Sequence, residues 1–279
     1  MAQIVGCINT SHVPAIGKAI AGNLQKDPYW SPFFDGFPPV REWLDEVKPD
    51  VAVVFYNDHG LNFFLDKLPT FAVGAAPEYV NADEGWGIPS LPPFKSELDL
   101  SWQIINHLVN DEFDITICQE MLVDHAFTLP LKLLYPSEGE CPIATVPIAI
   151  NTVLSPFPSA KRCYNLGQSV GEAIRAWDSD KRVVIIGTGG LSHQLDGERA
   201  GHINKEFDLK FLESLKSDPE WATQFTSKEI IEQVGTQGLE LIMWLAARGA
   251  VAGEVKEVHT NYHIPISNTA TGLQALACI

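Results

Sequence analysis

Positive charge is scarce in this sequence. Lys and Arg number 19 against 35 Asp and Glu, which gives a formal net charge of -16 over 279 residues. A surface this acidic repels phosphate backbones and anionic lipid, so we expect neither nucleic acids nor membranes as partners. Charged residues make up only 19% of the chain and hydrophobic residues 46%. This composition excludes a disordered or fibrous chain and predicts a sizeable buried core.

Long apolar runs, a signal segment and paired cysteines are also lacking. The longest apolar run, Leu241 to Ala247, is far shorter than the roughly 20 residues of a membrane-spanning helix. The N-terminal MAQIVGCINTSH has no basic region of the kind that opens a signal peptide. The five cysteines are scattered and form no CxxC pair, which favours free thiols in a reducing compartment over disulfides or a zinc ribbon. We therefore expect a cytoplasmic protein.

Short runs rich in Val and Ile alternate with helical patterns along the chain. The runs are QIVGCI (3–8), VAVVFY (51–56), ITIC (115–118), IATVPIAI (143–150) and RVVIIG (182–187). Most lack polar alternation, as expected for strands covered on both faces. Helical patterns cover 160–177, 202–217 and 227–250, whereas Gly74 to Pro93 is dense in Gly, Pro and acidic residues and predicts a long irregular loop. The sequence thus predicts the α/β class: a single layered domain, 1–279, with a central mostly parallel or mixed sheet flanked by helices.

Three histidines share one placement. His12, His59 and His193 each come shortly after one of the predicted strands. In α/β sheets, reactive groups gather where the carboxyl ends of strands open into a common crevice. A single histidine in such a place is more often a structural residue, but three together favour a functional site. His125, in VDHAF, could join the same rim after a longer loop.

Glu240 is the second unusual residue. Its neighbours in GLELIMWLAARG are apolar nearly all round a helix, which predicts burial. Burying a carboxylate costs roughly several kcal/mol of folding free energy unless the group is paired or binds a metal. Ion pairing with Arg248, partial exposure at a helix edge and metal ligation all remain open for it. Together with His12 and His59 it would complete the two-histidine, one-carboxylate set that holds non-haem Fe(II), although Mn(II) or Zn(II) would also suit these ligands.

Two other motifs resemble functional signatures. GQSVG matches the G-x-S-x-G pattern of serine hydrolases around Ser169, but it lies within a helical pattern rather than at a strand-to-helix turn, so we expect a chance match. GTGGLS resembles a dinucleotide-binding loop, with Ser192 where the third Gly belongs. We interpret it as a tight turn that delivers His193.

Seven segments, in order along nearly the whole chain, resemble a known family. They are INTSHVPA, VFYNDHG, ADEGWG, VDHAFTLPL, GTGGLSHQLDGERAGHINKEFD, GLELIMWLAARG and YHIPISNTATG. They are similar to the class III extradiol ring-cleavage dioxygenases, in particular to the catalytic β subunits of the protocatechuate 4,5-dioxygenase type. The resemblance implies Fe(II) held by His12, His59 and Glu240. It also implies that His193 is the catalytic acid/base and that His125 lines the pocket and assists through hydrogen bonding.

The resemblance also bears on substrate. It places Asn57 and Ser267 near the bound aromatic ring and its carboxylate. It implies O₂-dependent ring opening of protocatechuate, or a closely related carboxylated catechol, to 4-carboxy-2-hydroxymuconate semialdehyde in aromatic catabolism. Gallate or an O-methylgallate is the alternative substrate. A serine hydrolase or a non-catalytic binding relative is a less favoured function.

A partner chain is a further expectation. Members of this family pair the catalytic subunit with a small helical subunit, supplied separately or fused at the C-terminus. This sequence stops at Ile279, shortly after YHIPISNTATG. The resemblance therefore implies a separate small α subunit over the pocket, and an oligomeric enzyme.

Overall fold

A computed structural model describes residues 1–85, 88, 90–137, 139–264 and 269–279. The strands are β1 (Gln3–Thr10), β2 (Val51–Tyr56), β3 (Phe71–Gly74), β4 (Glu78–Asn81), β5 (Phe94–Lys95), β6 (Thr116–Cys118), β7 (Leu122–Val123), β8 (Ala144–Ile150), β9 (Arg182–Thr188), β10 (Val255–His263) and β11 (Thr271–Cys278). The helices are α1 (Pro14–Ala21), α2 (Ser31–Phe34), α3 (Phe37–Val47), α4 (Leu98–Asn110), α5 (His125–Leu134), α6 (Ala160–Ala176), α7 (Lys205–Ser217), α8 (Ser227–Val234) and α9 (Leu241–Ala250), with 3₁₀ turns at Trp221–Gln224 and Gln237–Glu240.

Eight strands form one mixed sheet in the order β10-β11-β1-β9-β2-β8-β3-β6. Its centre, β1-β9-β2-β8, is parallel. Towards the edges, β11 runs against β1, β10 against β11 and β3 against β8. All five predicted strands belong to this sheet, and the predicted α/β class with a mixed sheet is confirmed. A second, three-stranded sheet has the order β5-β4-β7.

Both faces of the large sheet are covered by apolar side chains. Along β2, Val51, Val53 and Phe55 join a core with α4, α6, α7, α8 and α9, whereas the alternate residues join a second core with α1, α2, α3 and α5. Every residue of β2 is buried. This double burial explains why the strand runs show no polar alternation.

The helical pattern over 227–250 is interrupted, in contrast to the single helix that its periodicity predicts. α8 ends at Val234, and the next residue, Gly235, has a φ of 90°. A Cβ there would lie 2.2 Å from the carbonyl oxygen of His193, so the close approach requires glycine. The main-chain nitrogen of His193 donates to the Val234 carbonyl at 2.8 Å. The interruption therefore allows the strand-end segment that carries His193 to pack against the turn that joins α8 and α9.

The GQSVG motif lies inside α6, as its helical spacing predicted. Its two glycines allow α6 to pack closely on α9, since a Cβ at Gly167 or Gly171 would lie 2.0 or 2.2 Å from a carbonyl oxygen of α9. Ser169 is buried in mid-helix, away from any strand-to-helix turn, so the structure gives no support to a hydrolase nucleophile.

Three further features agree with the sequence. All five cysteines are free thiols. In the part of the chain that the structure describes, no helix has the length and apolarity needed to cross a bilayer. Among its described residues, the predicted loop over 74–93 is irregular apart from the last residue of β3 and from β4; residues 86, 87 and 89 lie outside the described residues.

Candidate functional site

The three histidines that follow strands lie at one edge of the sheet. β1, β9 and β2 are neighbours and parallel, so the segments beyond their carboxyl ends meet. The ring centroids of His12 and His59 are 5.3 Å apart. His193 arrives from the turn after β9, where Gly189 has a φ of 135°.

Glu240 completes the cluster from the opposite end of the chain. It is 5% exposed at the junction of the Gln237–Glu240 turn and α9. Its Oε2 lies 3.5 Å from Nε2 of His12, and its Oε1 lies 3.7 Å from Nε2 of His59. The structure thus brings together the three residues that the sequence proposed as a ligand set.

Hydrogen bonds hold the Glu240 carboxylate in place. Oε2 accepts from the main-chain nitrogen of Gly190 at 2.7 Å, and Oε1 accepts from Nδ2 of Asn57 at 3.2 Å. Although burial raises the pKa of Glu240, the neighbouring histidines, chiefly His12, outweigh it and hold that pKa well below the usual range. Arg248, the other partner considered from the sequence, donates to three main-chain carbonyls instead.

His12 has an unsatisfied nitrogen directed at this cluster. Its Nδ1 is 3.1 Å from Oγ1 of Thr188, at the end of β9. Its Nε2 is buried and makes no hydrogen bond within the described residues. Burial also lowers the pKa of His12, which favours the neutral ring. A neutral imidazole with a buried nitrogen that faces a carboxylate and makes no hydrogen bond there fits a metal ligand.

Asp124 orients His59. One oxygen, Oδ2, accepts from the main-chain nitrogen of His59 at 2.8 Å and lies 2.9 Å from its Nδ1, while Oδ1 caps α5. Burial lowers the pKa of His59, but the carboxylates of Asp124 and Glu240 outweigh it and raise that pKa to about 10. Conversely, burial raises the pKa of Asp124, and the facing His59 charge outweighs it and lowers it to about 2. A carboxylate on the outer nitrogen is the usual support of a metal-ligating histidine.

Nε2 of His193 faces the cluster. Its Nδ1 is 3.0 Å from the carbonyl of Leu191, which can only accept, so Nδ1 carries a hydrogen. Its Nε2 lies 3.8 Å from Oε2 of Glu240, and the residue is 6% exposed. The neutral ring can therefore take up a proton at Nε2, on the side of the proposed ligands.

His125 begins α5 and lies against the same cluster. Its ring stacks on that of His59 with centroids 4.3 Å apart and planes 26° apart. Glu84 contacts both its main-chain nitrogen and its Nδ1. Its Nε2 is buried without a hydrogen bond to any described residue.

Of the two residues expected near the substrate, the structure describes Asn57 but not Ser267. Asn57 is buried and contacts the ligand set directly, with Nδ2 3.3 Å from Nε2 of His59 in addition to its bond to Glu240. Its Oδ1 makes no hydrogen bond within the described residues. Ser267 lies outside the described residues.

Sequence reasoning missed a buried carboxylate behind His193. Asp208, on α7, accepts from the nitrogen of Ser192 at 3.0 Å, from its Oγ at 2.7 Å and from the hydroxyl of Tyr262 at 2.8 Å. It is 0% exposed, and burial raises its pKa. The signal was present, because Asp208 shares the buried helical face of Phe211 and Leu215.

Fold and site together define an α/β protein with a buried cluster of two histidines and one carboxylate, a donor set that suits a metal ion, and two further histidines beside it. Residues 6–272 match the family described as the catalytic LigB subunit of aromatic ring-opening dioxygenase. The chain belongs to this family and is a dioxygenase of the aromatic ring-cleaving type.

Named relatives agree on the enzyme class and differ in substrate. The chain is 38% identical over 195 residues to a gallate dioxygenase of Pseudomonas putida, a match that covers 70% of this chain and 56% of that protein, little more than half its length. It is 30% identical to a 2,3-dihydroxyphenylpropionate/2,3-dihydroxicinnamic acid 1,2-dioxygenase of a Rhodococcus sp, covering 81% and 84% of the two chains. It also matches an uncharacterized Escherichia coli K12 protein of known structure with a TM-score of 0.57 and 12% identity, over 97% and 99% of the chains, a likeness of fold alone.

Proposed function

We propose that this chain opens the ring of a carboxylated catechol beside its diol, using O₂ and Fe(II). The observation that carries the proposal is the convergence of His12, His59 and Glu240 on one point, with Nε2 of His193 alongside. The buried Nε2 of His12 makes no hydrogen bond to any residue that the structure describes. Two histidines and a carboxylate leave open positions for substrate and O₂.

Gallate is the first substrate to test. The sequence expectation placed protocatechuate first, with gallate or an O-methylgallate as the alternative. The 38% identity to a protein named gallate dioxygenase supports the alternative better. Both acids carry a carboxylate, whereas the chain carries a net charge of -16, so binding has to depend on local donors rather than on the overall field. We propose Ser267 as a donor to the carboxylate. Asn57, whose Nδ2 donates to Glu240 and whose Oδ1 can only accept, would instead face a hydroxyl group of the ring.

In this proposal each residue has a separate role. His12, His59 and Glu240 hold Fe(II), which would supply a template for catechol and O₂ and a path for electrons between them. His193 accepts a hydroxyl proton of the substrate at Nε2 and returns it as the ring opens, because its Nδ1 is committed to the Leu191 carbonyl. His125 assists through a hydrogen bond.

We also propose that residues 1–279 act as one catalytic domain whose site is covered by a small helical subunit. Phe64 and Leu65, on the segment after His59, are 56% and 88% exposed. Two adjacent exposed apolar side chains, five and six residues after a proposed ligand, suit a contact with such a subunit. Adding the small subunit of a relative should raise the rate and lifetime of the purified chain, since covering a site excludes water. Full, steady activity without it, and no gain on addition, would contradict this part of the proposal.

The deciding experiment is anaerobic reconstitution with Fe(II), followed by O₂ uptake with gallate, 3-O-methylgallate, protocatechuate and 2,3-dihydroxyphenylpropionate. We expect O₂ uptake equal to the substrate consumed, with a ring-opened product by mass spectrometry, and the highest kcat/KM for gallate. Absence of uptake with every catechol would overturn the function. A higher kcat/KM for protocatechuate would reverse the order of substrates only.

A further inference from the structure

Two carboxylates in this site make the same pair of contacts with two successive histidines. Asp124 accepts from the main-chain nitrogen of His59 at 2.8 Å and contacts its Nδ1 at 2.9 Å. Glu84 accepts from the main-chain nitrogen of His125 at 2.7 Å and contacts its Nδ1 at 2.5 Å. The two histidine rings stack on each other. The site therefore contains two parallel carboxylate–histidine pairs, and only one of them includes a proposed metal ligand.

The second, three-stranded sheet brings these carboxylates together. β4 and β7 pair in parallel, with Val80 opposite Leu122 and Asn81 opposite Val123. The ladder continues as the nitrogen of Ala82 donates to the Val123 carbonyl at 2.8 Å. Glu84 thus follows the end of one strand, and Asp124 and His125 follow the end of its neighbour. The acidic loop that the sequence predicts over 74–93 is therefore held at Glu84 against the edge of the site.

The contact from Glu84 determines which nitrogen of His125 carries hydrogen. The side chain of Glu84 is 7% exposed, and an ionised carboxylate can only accept. Nδ1 of His125 must therefore be the donor, and in the neutral ring Nε2 is left as an acceptor. That Nε2 is buried without a hydrogen bond among the described residues, and one ring nitrogen from each of His12, His59 and His125 lies within 4.8 Å of the others.

We propose that Glu84 is a positioning residue that holds His125 in the Nδ1–H form and presents its Nε2 as an acceptor to a hydroxyl group of the bound aromatic substrate. The substrate part of this inference rests on the proposed function. A carboxylate group of the substrate, which can only accept, would not pair with this nitrogen. Glu84 therefore acts on the substrate through His125, whereas Asp124 acts on the metal through His59.

The first test reads the tautomer directly. The metal-free protein, labelled with ¹⁵N in its histidine rings, is measured by two-bond ¹H–¹⁵N correlation, and the His125 signals are identified by their loss in His125→Phe. We expect the Nδ1–H form in the wild-type protein. An Nε2–H form in the neutral ring would overturn the proposal without any variant at position 84.

The second test uses Glu84→Gln, which keeps the size of the side chain. Its amide oxygen can still accept from the main-chain nitrogen of His125, but its NH₂ group would face Nδ1 as a donor, so the ring hydrogen should move to Nε2. We expect kcat/KM to fall about 10–100-fold while metal affinity stays within about twofold of wild type. Asp124→Asn should instead weaken metal binding. Asp83→Asn, which removes a neighbouring exposed charge, is the matched control and should change neither the tautomer nor kcat/KM.

Failure of this inference is distinct from failure of the proposed function. If the wild type opens catechol rings and Glu84→Gln leaves the tautomer and kcat/KM unchanged, the positioning role is wrong and the function stands. If Glu84→Gln loses metal as Asp124→Asn does, Glu84 supports a ligand and the positioning role is again wrong. If the tautomer inverts as expected but the wild type turns over no catechol, the role of Glu84 on His125 stands and the function falls.

Discussion

The main-chain nitrogen of Gly190 donates a hydrogen bond to Oε2 of Glu240 at 2.7 Å. The same glycine borders His193, because a Cβ at position 190 would lie 2.4 Å from Cε1 of that ring. One residue therefore contacts a proposed metal ligand through its N–H group and leaves room for the proposed acid/base by having no side chain. The relative positions of the His193 ring and the Glu240 carboxylate therefore depend on the turn that contains Gly190.

Gly190→Ala should displace the His193 ring and lower kcat about 100-fold, the effect expected of a misplacement of about 1 Å. Iron content should remain near that of the wild type, because the N–H donor to Glu240 is retained. Stopped-flow and metal analysis of the purified variant would measure both. Gly139→Ala is the matched control, since a Cβ at Gly139 meets nothing within 4 Å. Unchanged turnover in Gly190→Ala would show that the position of His193 is not critical.

Metal retention should separate the proposed ligands from the proposed acid/base. Glu240→Ala or His12→Ala should leave a folded protein without tightly bound iron, because two ligands no longer form the facial set. His193→Phe should keep iron and bind catechol but lose ring opening. Anaerobic iron titration with activity assays on the same samples distinguishes these outcomes. Stoichiometric iron and full turnover in either ligand variant would refute the assignment, and iron loss in His193→Phe would make His193 a ligand.

Metal binding should release a proton from His59. Its pKa is about 10 in the metal-free site, so at pH 7 the ring is protonated, and Nε2 has to lose its hydrogen before it can ligate. Proton and metal compete for this nitrogen, so affinity should rise with pH up to about 10 and fall as the solution becomes more acidic. Calorimetry with Mn(II) in two buffers of different ionisation enthalpy would count the protons. If no proton is released at pH 7, His59 does not lose a proton when the metal binds, and this prediction is wrong.

The Asp208 network should stabilise the turn that carries His193. Asp208→Ala leaves two buried donors on Ser192 and the half-buried hydroxyl of Tyr262 without their acceptor, at a cost of roughly 1–3 kcal/mol for each buried group left unsatisfied. We expect a loss of about 3 kcal/mol or more in the free energy of unfolding, measured in urea. Tyr262→Phe removes one hydrogen bond and should cost about 1 kcal/mol. An equal free energy of unfolding for Asp208→Ala and wild type would show that the network does not stabilise the fold.

The central strands were predictable because burial on both faces forces continuous Val and Ile runs. β10 and β11 were not predicted, since VKEVHTNYH is mostly polar and TGLQALAC is rich in residues that favour helices. Their pairing at the sheet edge is a tertiary effect that overrides local preference. The break at Gly235 likewise depends on a distant neighbour, the carbonyl of His193.

That the candidate residues lie together was predictable where a single position carried the signal, whereas their roles stay predictions. His12, His59 and His193 follow strands, and Glu240 lies in an apolar segment, so burial and placement sufficed. The supporting role of Glu84 could not be found in this way, because its contact with His125 depends on the β4–β7 ladder. The order of substrates was also beyond the sequence pattern, since it depends on pocket contacts rather than on the ligand set.

The proposed ligands come from opposite ends of the polypeptide, and β9 enters the sheet between β1 and β2 although both precede it in the chain. A bound ion would join the first and last quarters of the chain, so its binding energy would oppose global unfolding rather than the opening of one loop. At a free concentration one hundred times its dissociation constant, such an ion adds about 2.7 kcal/mol to stability. The thermal midpoint of the protein would then report its metal load, and molecules made during iron starvation would be the first that proteases remove.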